Sequence, residues 1–328
     1  MSAFPHELAA PTSLPTSCGA ADYEPPAGTP ALPVTTRRQF VRVTLSAAAT
    51  VALGSELPST SAATPRDLRV RDLLDSNVTL GRWPFRRLPL DDTSALVTKL
   101  RKHGVTQAWA GSFDGLFHKD LAAVNAGLAE ACRKHGRGFL VPFGSVNPKL
   151  PGWEEDLRRC VEEHKMPGIR LHPNYHGYKL DDPDFARLLS IASERRLILQ
   201  IAVSMEDERM QSPLARIPHV DAAPLVALLQ KYPKVPIVLL NCQRAMSADL
   251  LRKLAVAGEV LFEIATVEGV GGVANLLRQI PPQRVLFGSH APWFYFESAL
   301  LKLKESALDK EHDSAIRAGN ARKLLAQV

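Results

Sequence analysis

The chain has 328 residues, of which 45% are hydrophobic and 23% are charged, and its formal net charge is +6. This composition supports a large buried core, and the absence of any run of about eighteen apolar residues predicts no membrane-spanning helix. Lysine and arginine are scattered, and neither zinc-finger spacing nor an aromatic RNA-binding signature is present, which excludes the usual classes of nucleic-acid-binding protein.

The N-terminal segment has the layout of a targeting signal. Residues 1–36 are rich in Pro, Ala, Thr and Ser and have no periodicity, which predicts disorder. Arg37 and Arg38 then precede a short apolar stretch and a tract of small residues at 59–63. This order is typical of an export signal, and the paired arginines resemble the twin-arginine signature. We therefore expect residues 1–63 to be a disordered segment with a twin-arginine signal peptide, and the mature protein to be exported to the periplasm or the extracellular space.

Short apolar runs alternate with amphipathic segments through the rest of the chain. The runs predict strands at Asp72–Leu80, Val105–Ala110, Gly138–Val146, Gly168–His172, Leu197–Val203, Pro236–Cys242, Val260–Ile264 and Arg284–Ser289. The amphipathic segments predict helices at Thr93–His103, Lys119–Lys134, Gly152–His164, Asp184–Arg195, Ala222–Lys231, Ser247–Ala257, Val270–Gln279, Phe296–Leu303 and Lys310–Leu325. This alternation without hairpin signals predicts parallel strands. Eight units favour an α/β fold, a single-domain (β/α)8 TIM barrel over residues 64–328, rather than an open doubly wound sheet.

The predicted barrel places its chemistry at the carboxyl ends of the strands. Because side chains alternate along a strand, Asp75, Asn77 and Thr79 should face the barrel mouth, with Leu74 and Val78 on the opposite face. The same alternation turns further polar side chains toward the mouth, namely Arg170, His172, Gln200, Ser204, Asn241, Glu263 and His290. The loop after strand five adds Glu206 and Arg209, and the segment after strand eight adds an aromatic wall that begins at Trp293. Together these residues predict one pocket.

Each of these residues also has a structural interpretation. His172 could be a loop histidine, since it precedes a proline, and Arg170 could pair with Glu263 inside the barrel. Asn77 and Thr79 could cap the end of the strand. The charged loop could be solvated, and the aromatic residues could serve helix packing.

Four segments, taken in order, resemble the amidohydrolase-related family of metal-dependent hydrolases. Residues 74–81 are similar to its opening strand, which usually reads Asp-x-His-x-His-x-Gly, and residues 168–173 are similar to its fourth strand. Residues 285–292 are similar to its last strand, where Gly-Ser-Asp-x-Pro is usual, and residues 319–325 are similar to its closing helix. The resemblance covers roughly residues 70–325, and it implies a TIM barrel with hydrolase chemistry.

The chain departs from this family at the metal ligands. The usual ligand positions are occupied by Asn77, Thr79, Ala202, Asn241 and His290. An amide or hydroxyl oxygen is a poor ligand for zinc-like ions, and a methyl group is none. We therefore expect no cofactor, although a divalent metal bound by His172, Glu263 and His290 is an alternative.

Three functions fit these residues. The first is a metal-independent hydrolase of a small carboxylated, lactone, ester or amide substrate. In it His290 is the general base, Arg170 and His172 hold a carboxylate or oxyanion, Asn77 orients water or the carbonyl group, and Glu263 assists. The remaining substrate-binding candidates are Asp75, Thr79, Asn241, Glu206, Arg209 and Trp293. The second function is a non-catalytic ligand-binding barrel, and the third is a metal-dependent hydrolase or decarboxylase with unusual ligands. The expected partner is a small anionic molecule, with a homodimer as a further expectation and neither nucleic acid nor a stable membrane span.

Overall fold

A computed structural model describes residues 72–328 of the chain. The expected signal peptide and its arginine pair lie outside these residues. Within 72–328, no helix is long and apolar enough to cross a membrane.

Parallel strands alternate with helices along the described chain. The strands are β1 (Leu73–Leu80), β2 (Val105–Ser112), β3 (Leu140–Pro142), β4 (Gly168–Leu171), β5 (Ile198–Ala202), β6 (Ile237–Leu240), β7 (Val260–Glu263) and β8 (Val285–Leu286). The helices are α1 (Thr93–Lys102), α2 (Leu121–Gly136), α3 (Trp153–Glu162), α4 (Pro173–His176), α5 (Pro183–Glu194), α6 (Leu225–Lys231), α7 (Ala248–Ala257), α8 (Gly272–Leu277), α9 (Phe296–Glu305), α10 (Lys310–Ser314) and α11 (Asn320–Leu325). All eight predicted strands are confirmed, most of them with shorter ends.

The strands close into a barrel through backbone hydrogen bonds. Strands β1 to β3 and strands β4 to β8 pair in sequence order, and every pair is parallel. Between β3 and β4, the backbone nitrogen of Arg170 donates to Gly144 O at 2.7 Å. Between β8 and β1, the nitrogen of Thr79 donates to Ala291 O at 2.9 Å. These two seams join both groups of strands, so the predicted TIM barrel is confirmed.

The barrel is filled by its own side chains and closed at one end by the C-terminal helix. The inner cluster of buried residues contains Leu74, Trp109, Phe143, Ile198, Val238, Leu240, Leu261 and Leu286, together with Ala318, Ala321 and Leu324. A second and larger cluster lies between the strands and the surrounding helices. Polar residues lie at or beyond the carboxyl ends of the last three strands, namely Asn241 after β6, Glu263 at the end of β7 and His290 after β8.

Two sequence predictions differ from this structure. Leu74 was expected to share the outward face with Val78, but it lies in the inner cluster. The register of β1 on β2 shifts between Asp75 and Val78, and an extra residue in one strand reverses the alternation of its side chains. The single helix predicted over Lys310–Leu325 is interrupted by a π-helical turn at Ala315–Gly319.

Candidate functional site

Arg170 lies inside the barrel and ties several strands together. Its guanidinium donates to four acceptors: Val78 O (2.8 Å), Thr79 Oγ1 (3.2 Å), Trp109 O (3.2 Å) and Gln200 Oε1 (2.8 Å). An arginine has five N–H donors, so these bonds occupy nearly all of them. Arg170 forms no ion pair with Glu263. Burial lowers the pKa of the Arg170 guanidinium to about 10. These contacts give Arg170 a structural role rather than the expected role of holding a carboxylate.

Asp75 joins β1 to the chain that follows β8. Its carboxylate accepts hydrogen bonds from Ser289 N (3.0 Å), Ser289 Oγ (2.5 Å) and Asn77 N (3.1 Å). Burial raises the pKa of Asp75 to about 7, and the hydrogen bonds from Ser289 and Asn77 only partly oppose this shift. The hydrogen bonds of the Asp75 carboxylate therefore join β1 to the segment after β8, and they leave it little capacity to bind a substrate.

Asn241 directly follows β6, and His290 lies four residues beyond β8. Their φ angles are +54° and +56°, in the left-handed region, which residues other than glycine rarely adopt but in which asparagine and histidine are enriched. The Asn241 Nδ2 lies 3.3 Å from His290 Nδ1 and donates to Ser204 O at 2.9 Å. Asn77 Nδ2 in turn donates to Asn241 Oδ1 at 2.9 Å. The strand ends therefore carry a connected chain from Asn77 through Asn241 to His290.

The hydrogen bonds of His290 fix its tautomer. Its Nε2 lies 2.9 Å from the carbonyl oxygen of Met205, and a carbonyl can only accept, so Nε2 carries the proton and Nδ1 carries the lone pair. Burial lowers the pKa of His290 to about 4. The imidazole is therefore neutral at pH 7, with its basic nitrogen turned toward Asn241.

Glu263 lies at the end of β7, between Asn241 and His290 in strand order. Its two carboxylate oxygens accept from the backbone nitrogens of Asn241 and Ala265, each at 2.5 Å. Burial raises the pKa of Glu263. The carboxylate touches the backbone of the site and does not line the cavity described below.

His172 is buried beyond the end of β4, and neither of its ring nitrogens has a hydrogen-bond partner. Its ring centroid lies 5.9 Å from that of His176, and burial holds the pKa of His172 well below its usual value. The register of β4 on β5 pairs Arg170 with Gln200, which places His172 level with Ala202. His172 therefore lies outside the hydrogen-bonded chain of Asn241.

An apolar cover closes part of the barrel mouth. It consists of Trp83, Leu88, Phe113, Leu116, Ala202 and Met205, with Tyr175 and Trp293 packed against them. The ring centroids of Trp83 and Trp293 are 4.8 Å apart. Arg86 lies over the Trp293 ring and forms an ion pair with Glu206. Sequence reasoning missed Trp83 and Arg86, although their position directly after β1 was a usable signal.

A cavity of about 250 Å³ opens beside this cover, at the ends of β5 to β8. Its lining residues are Ser204, Met205, Glu206, Asp207, Glu208, Arg209, His219, Asn241, Arg244, Thr266, His290 and Phe294. Four of the expected site residues are among them, namely Glu206, Arg209, Asn241 and His290. Six others, Asp75, Asn77, Thr79, Arg170, His172 and Glu263, are buried and do not line it. Trp293 is not part of the lining but stacks on His290 with ring centroids 6.0 Å apart.

The rim of the cavity carries charges of both signs. Asp207 pairs with Arg209 and with Arg244, which also approaches Glu268. These arginines hold the pKa of Asp207 well below its usual range. An anionic ligand would therefore compete with Asp207 for Arg244.

The donor groups at the strand ends do not fit a divalent metal. Within residues 72–328, no group of three or more His, Cys, Asp or Glu side chains could hold a metal ion. The carboxylates of Asp75 and Glu263 accept hydrogen bonds from other groups, and His290 is engaged at both nitrogens.

The sequence model of the family described as "Amidohydrolase" matches residues 81–327. No curated protein matches the chain. Among solved structures, 5-carboxyvanillate decarboxylase from Sphingomonas paucimobilis is 14% identical with a TM-score of 0.62, covering 78% of this chain and 99% of its own. A 2,6-dihydroxybenzoate decarboxylase from Rhizobium is 12% identical with a TM-score of 0.58, covering 78% and 98%.

A third similar structure, dihydroxybenzoic acid decarboxylase from Polaromonas sp. JS666, contains manganese and the inhibitor 2-nitroresorcinol. It is 13% identical to this chain with a TM-score of 0.58, covering 78% of this chain and 96% of its own. At these identities the solved structures establish the barrel fold alone. The family match spans most of the chain, and the protein therefore belongs to the amidohydrolase family.

Proposed function

We propose that the protein is an enzyme that hydrolyses a small lactone, ester or amide bearing a carboxylate, in the cavity floored by Asn241 and His290. The observation that carries this proposal is the pairing of these two residues. Both hold a left-handed backbone conformation, their side chains touch, and both line the same cavity. Uncommon backbone conformations that the surrounding structure maintains are concentrated at functional sites.

The chemistry assigned to His290 follows from its tautomer. Its Nδ1 carries the lone pair of the ring, because Nε2 donates to Met205 O, and this lone pair accepts only a long contact from Asn241 Nδ2. Burial lowers the pKa of His290 to about 4, so the ring is neutral at pH 7. It is then a weaker base than free imidazole, and entry of water, or of a substrate with negative charge beside the ring, would be needed to restore its basicity toward the attacking water. The 3.3 Å separation from Asn241 Nδ2 is long for a hydrogen bond, and an entering substrate would compete for it. The Asn241 amide would then orient the scissile carbonyl.

The reaction is proposed to need no metal, since the family's ligand positions hold Asn77, Thr79, Ala202, Asn241 and His290. Arg209 and Arg244 at the rim are the cations that an anionic substrate would engage, and it would have to displace Asp207 from both, in a lining that also contains Glu206 and Glu208. Export by the twin-arginine route, and a homodimer, remain proposals drawn from the sequence and the family.

A non-catalytic ligand-binding barrel is the second candidate, and one observation favours it. Both ring nitrogens of His290 already have protein partners, so a proton can be taken up only after one of these contacts is broken. A barrel with the same cavity but no accessible base would bind ligands without turning them over.

The test uses the full chain after treatment with a chelator, assayed against lactones, esters and amides with and without a carboxylate. We expect hydrolysis that survives chelation and falls about 100-fold or more in His290→Ala, the range typical of a lost general base. The control is His118→Ala, which alters an exposed histidine outside the cavity. Full activity in His290→Ala, or a requirement for added metal, would contradict the proposal. Compounds that raise the melting temperature without turnover would favour the binding protein.

A further inference from the structure

Glu263 is a fully buried carboxylate without an ion-pair partner among the described residues. Its oxygens accept from two backbone N–H groups, those of Asn241 and Ala265, and the Asn77 side chain and the charge of Lys302 also favour its ionised form. Burying a charge is costly unless it is paired or well hydrogen-bonded, and burial raises the pKa of this carboxyl group. A neutral apolar side chain at this position of β7 would fill the barrel without that cost. The position therefore needs an explanation other than packing.

The contact with Asn241 suggests what the carboxylate does. Asn241 leaves β6 with a φ of +54°, a conformation that sterics oppose for residues with a Cβ, although asparagine adopts it more readily than most of them. Oε1 of Glu263 binds the backbone N–H of this residue at 2.5 Å and so fixes the peptide plane that precedes the side chain. The Asn241 side chain is then aimed at His290 Nδ1 and at Ser204 O.

The neighbouring strand is shaped around the same carboxylate. A Cβ atom added at Gly288 would lie 2.5 Å from Oε2 of Glu263 and 3.0 Å from its Cβ. No side chain could therefore occupy this position while Glu263 keeps its place. Gly288 also begins the segment that carries Ser289 and His290 beyond the end of β8. Both strands that flank β7 are thus built to hold one carboxylate between Asn241 and His290.

We propose that Glu263 is a positioning residue, which holds Asn241 in its left-handed conformation and thereby sets the contact between the Asn241 amide and His290. Gly288 provides the space that this role requires. Glu263 acts through Asn241 and does not touch the substrate, since it lies outside the cavity lining. This inference deepens the proposed function and rests on the assignment of Asn241 and His290 as the reacting pair.

The test uses Glu263→Gln and Gly288→Ala in the full chain. Glu263→Gln turns one acceptor into a donor that faces a backbone N–H, and Gly288→Ala displaces the carboxylate without removing it. Ring ¹⁵N shifts of His290, assigned with His290→Gln, report its tautomer and the contact at Nδ1. We expect both variants to shift the Nδ1 signal and to lower kcat about tenfold while KM changes less than about twofold. Gly127→Ala is the matched control, because a Cβ at this helical position meets no atom within 4 Å, and it should change neither readout.

The two readouts separate this inference from the proposed function. Unchanged His290 signals in both variants would overturn the positioning role, whatever the activity. Shifted signals in a protein that turns over none of the compounds would support the positioning role and count against the proposed function alone. If Glu263→Gln does not fold, Gly288→Ala and the milder Glu263→Asp are measured in the same way, and unchanged signals in both overturn the inference.

Discussion

Asn241 and His290 follow two strands that are not neighbours, β6 and β8, yet Asn241 Nδ2 lies 3.3 Å from His290 Nδ1. Strand β7 lies between them in the barrel, and it ends in Glu263, which binds the backbone of Asn241. Both residues have positive φ angles, and their side chains meet across the end of β7. The contact therefore depends on backbone conformation as much as on residue identity.

Substitutions at Asn241 should separate the cost of its backbone conformation from the loss of its amide. Asn241→Gly and Asn241→Ala both remove the amide, but only glycine accepts a φ of +54° without steric strain. We expect the alanine variant to be less stable than the glycine variant by about 1 kcal/mol, since the left-handed conformation costs about 1–2 kcal/mol for a residue with a Cβ. Urea unfolding of the two variants measures the difference. Equal stability would mean that the loop after β6 adopts another conformation.

Asp75 should make the stability of the protein depend on pH. The pKa of Asp75 in the folded state is about 7, above the usual 3.8. Between these two pH values the folded protein binds a proton at Asp75 that the unfolded protein has lost. The free energy of unfolding therefore falls as the pH rises from about 4 to 7. Asp75→Asn keeps the acceptor for the backbone nitrogens, and the Ser289 hydroxyl can accept from the new amide. We expect the variant to gain stability relative to the wild type between pH 5 and pH 8, by an amount on the order of 1 kcal/mol per pKa unit. Parallel stability curves in urea across this range would argue against the assignment.

Arg170 should be essential for the fold. Arg170→Met leaves four acceptors inside the barrel without their donor, and each unsatisfied buried group costs about 1–3 kcal/mol. Gly111→Ala should destabilise for a related reason, because its Cβ would lie 2.8 Å from the Arg170 side chain, and overpacking costs about 1–3 kcal/mol. Arg187→Met is the control, since its ion pair with Glu154 is exposed and should contribute at most about 1 kcal/mol. Chemical denaturation of the three variants ranks them, and a stable Arg170→Met protein would exclude the structural role.

His172 and His176 should respond to leucine substitution in opposite directions. Both ring nitrogens of His172 are buried without partners, so His172→Leu should stabilise the protein by about 1 kcal/mol. His176 Nε2 lies 2.8 Å from Gly115 O, and His176→Leu should destabilise the protein because that carbonyl loses its partner, by less than about 1 kcal/mol since the buried, unpartnered Nδ1 of His176 is removed as well. Thermal and urea unfolding compare the two variants. A loss of stability in His172→Leu would indicate that a bound water or ligand satisfies its ring.

Several features of the candidate site could be predicted from the sequence. Alternation along the strands identifies Arg170, Gln200 and Glu263 as inward side chains because β4, β5 and β7 pair with their neighbours without register shifts. The same rule is wrong for Leu74, because β1 shifts its register on β2 twice. A register shift is a property of two paired strands, so the sequence of one strand does not predict it.

The sequence by itself determined the eight-strand barrel, the family and the loss of the usual metal ligands, because periodicity and residue type are local properties of the chain. Only the tertiary structure decided which polar residues are available to a ligand. Arg170 and Asp75 look equivalent to His290 in the sequence, yet their polar atoms are engaged within the barrel, while His290 and Asn241 line a cavity. The physical reason is that the hydrogen bonds of a buried group are shared with strands far away along the chain.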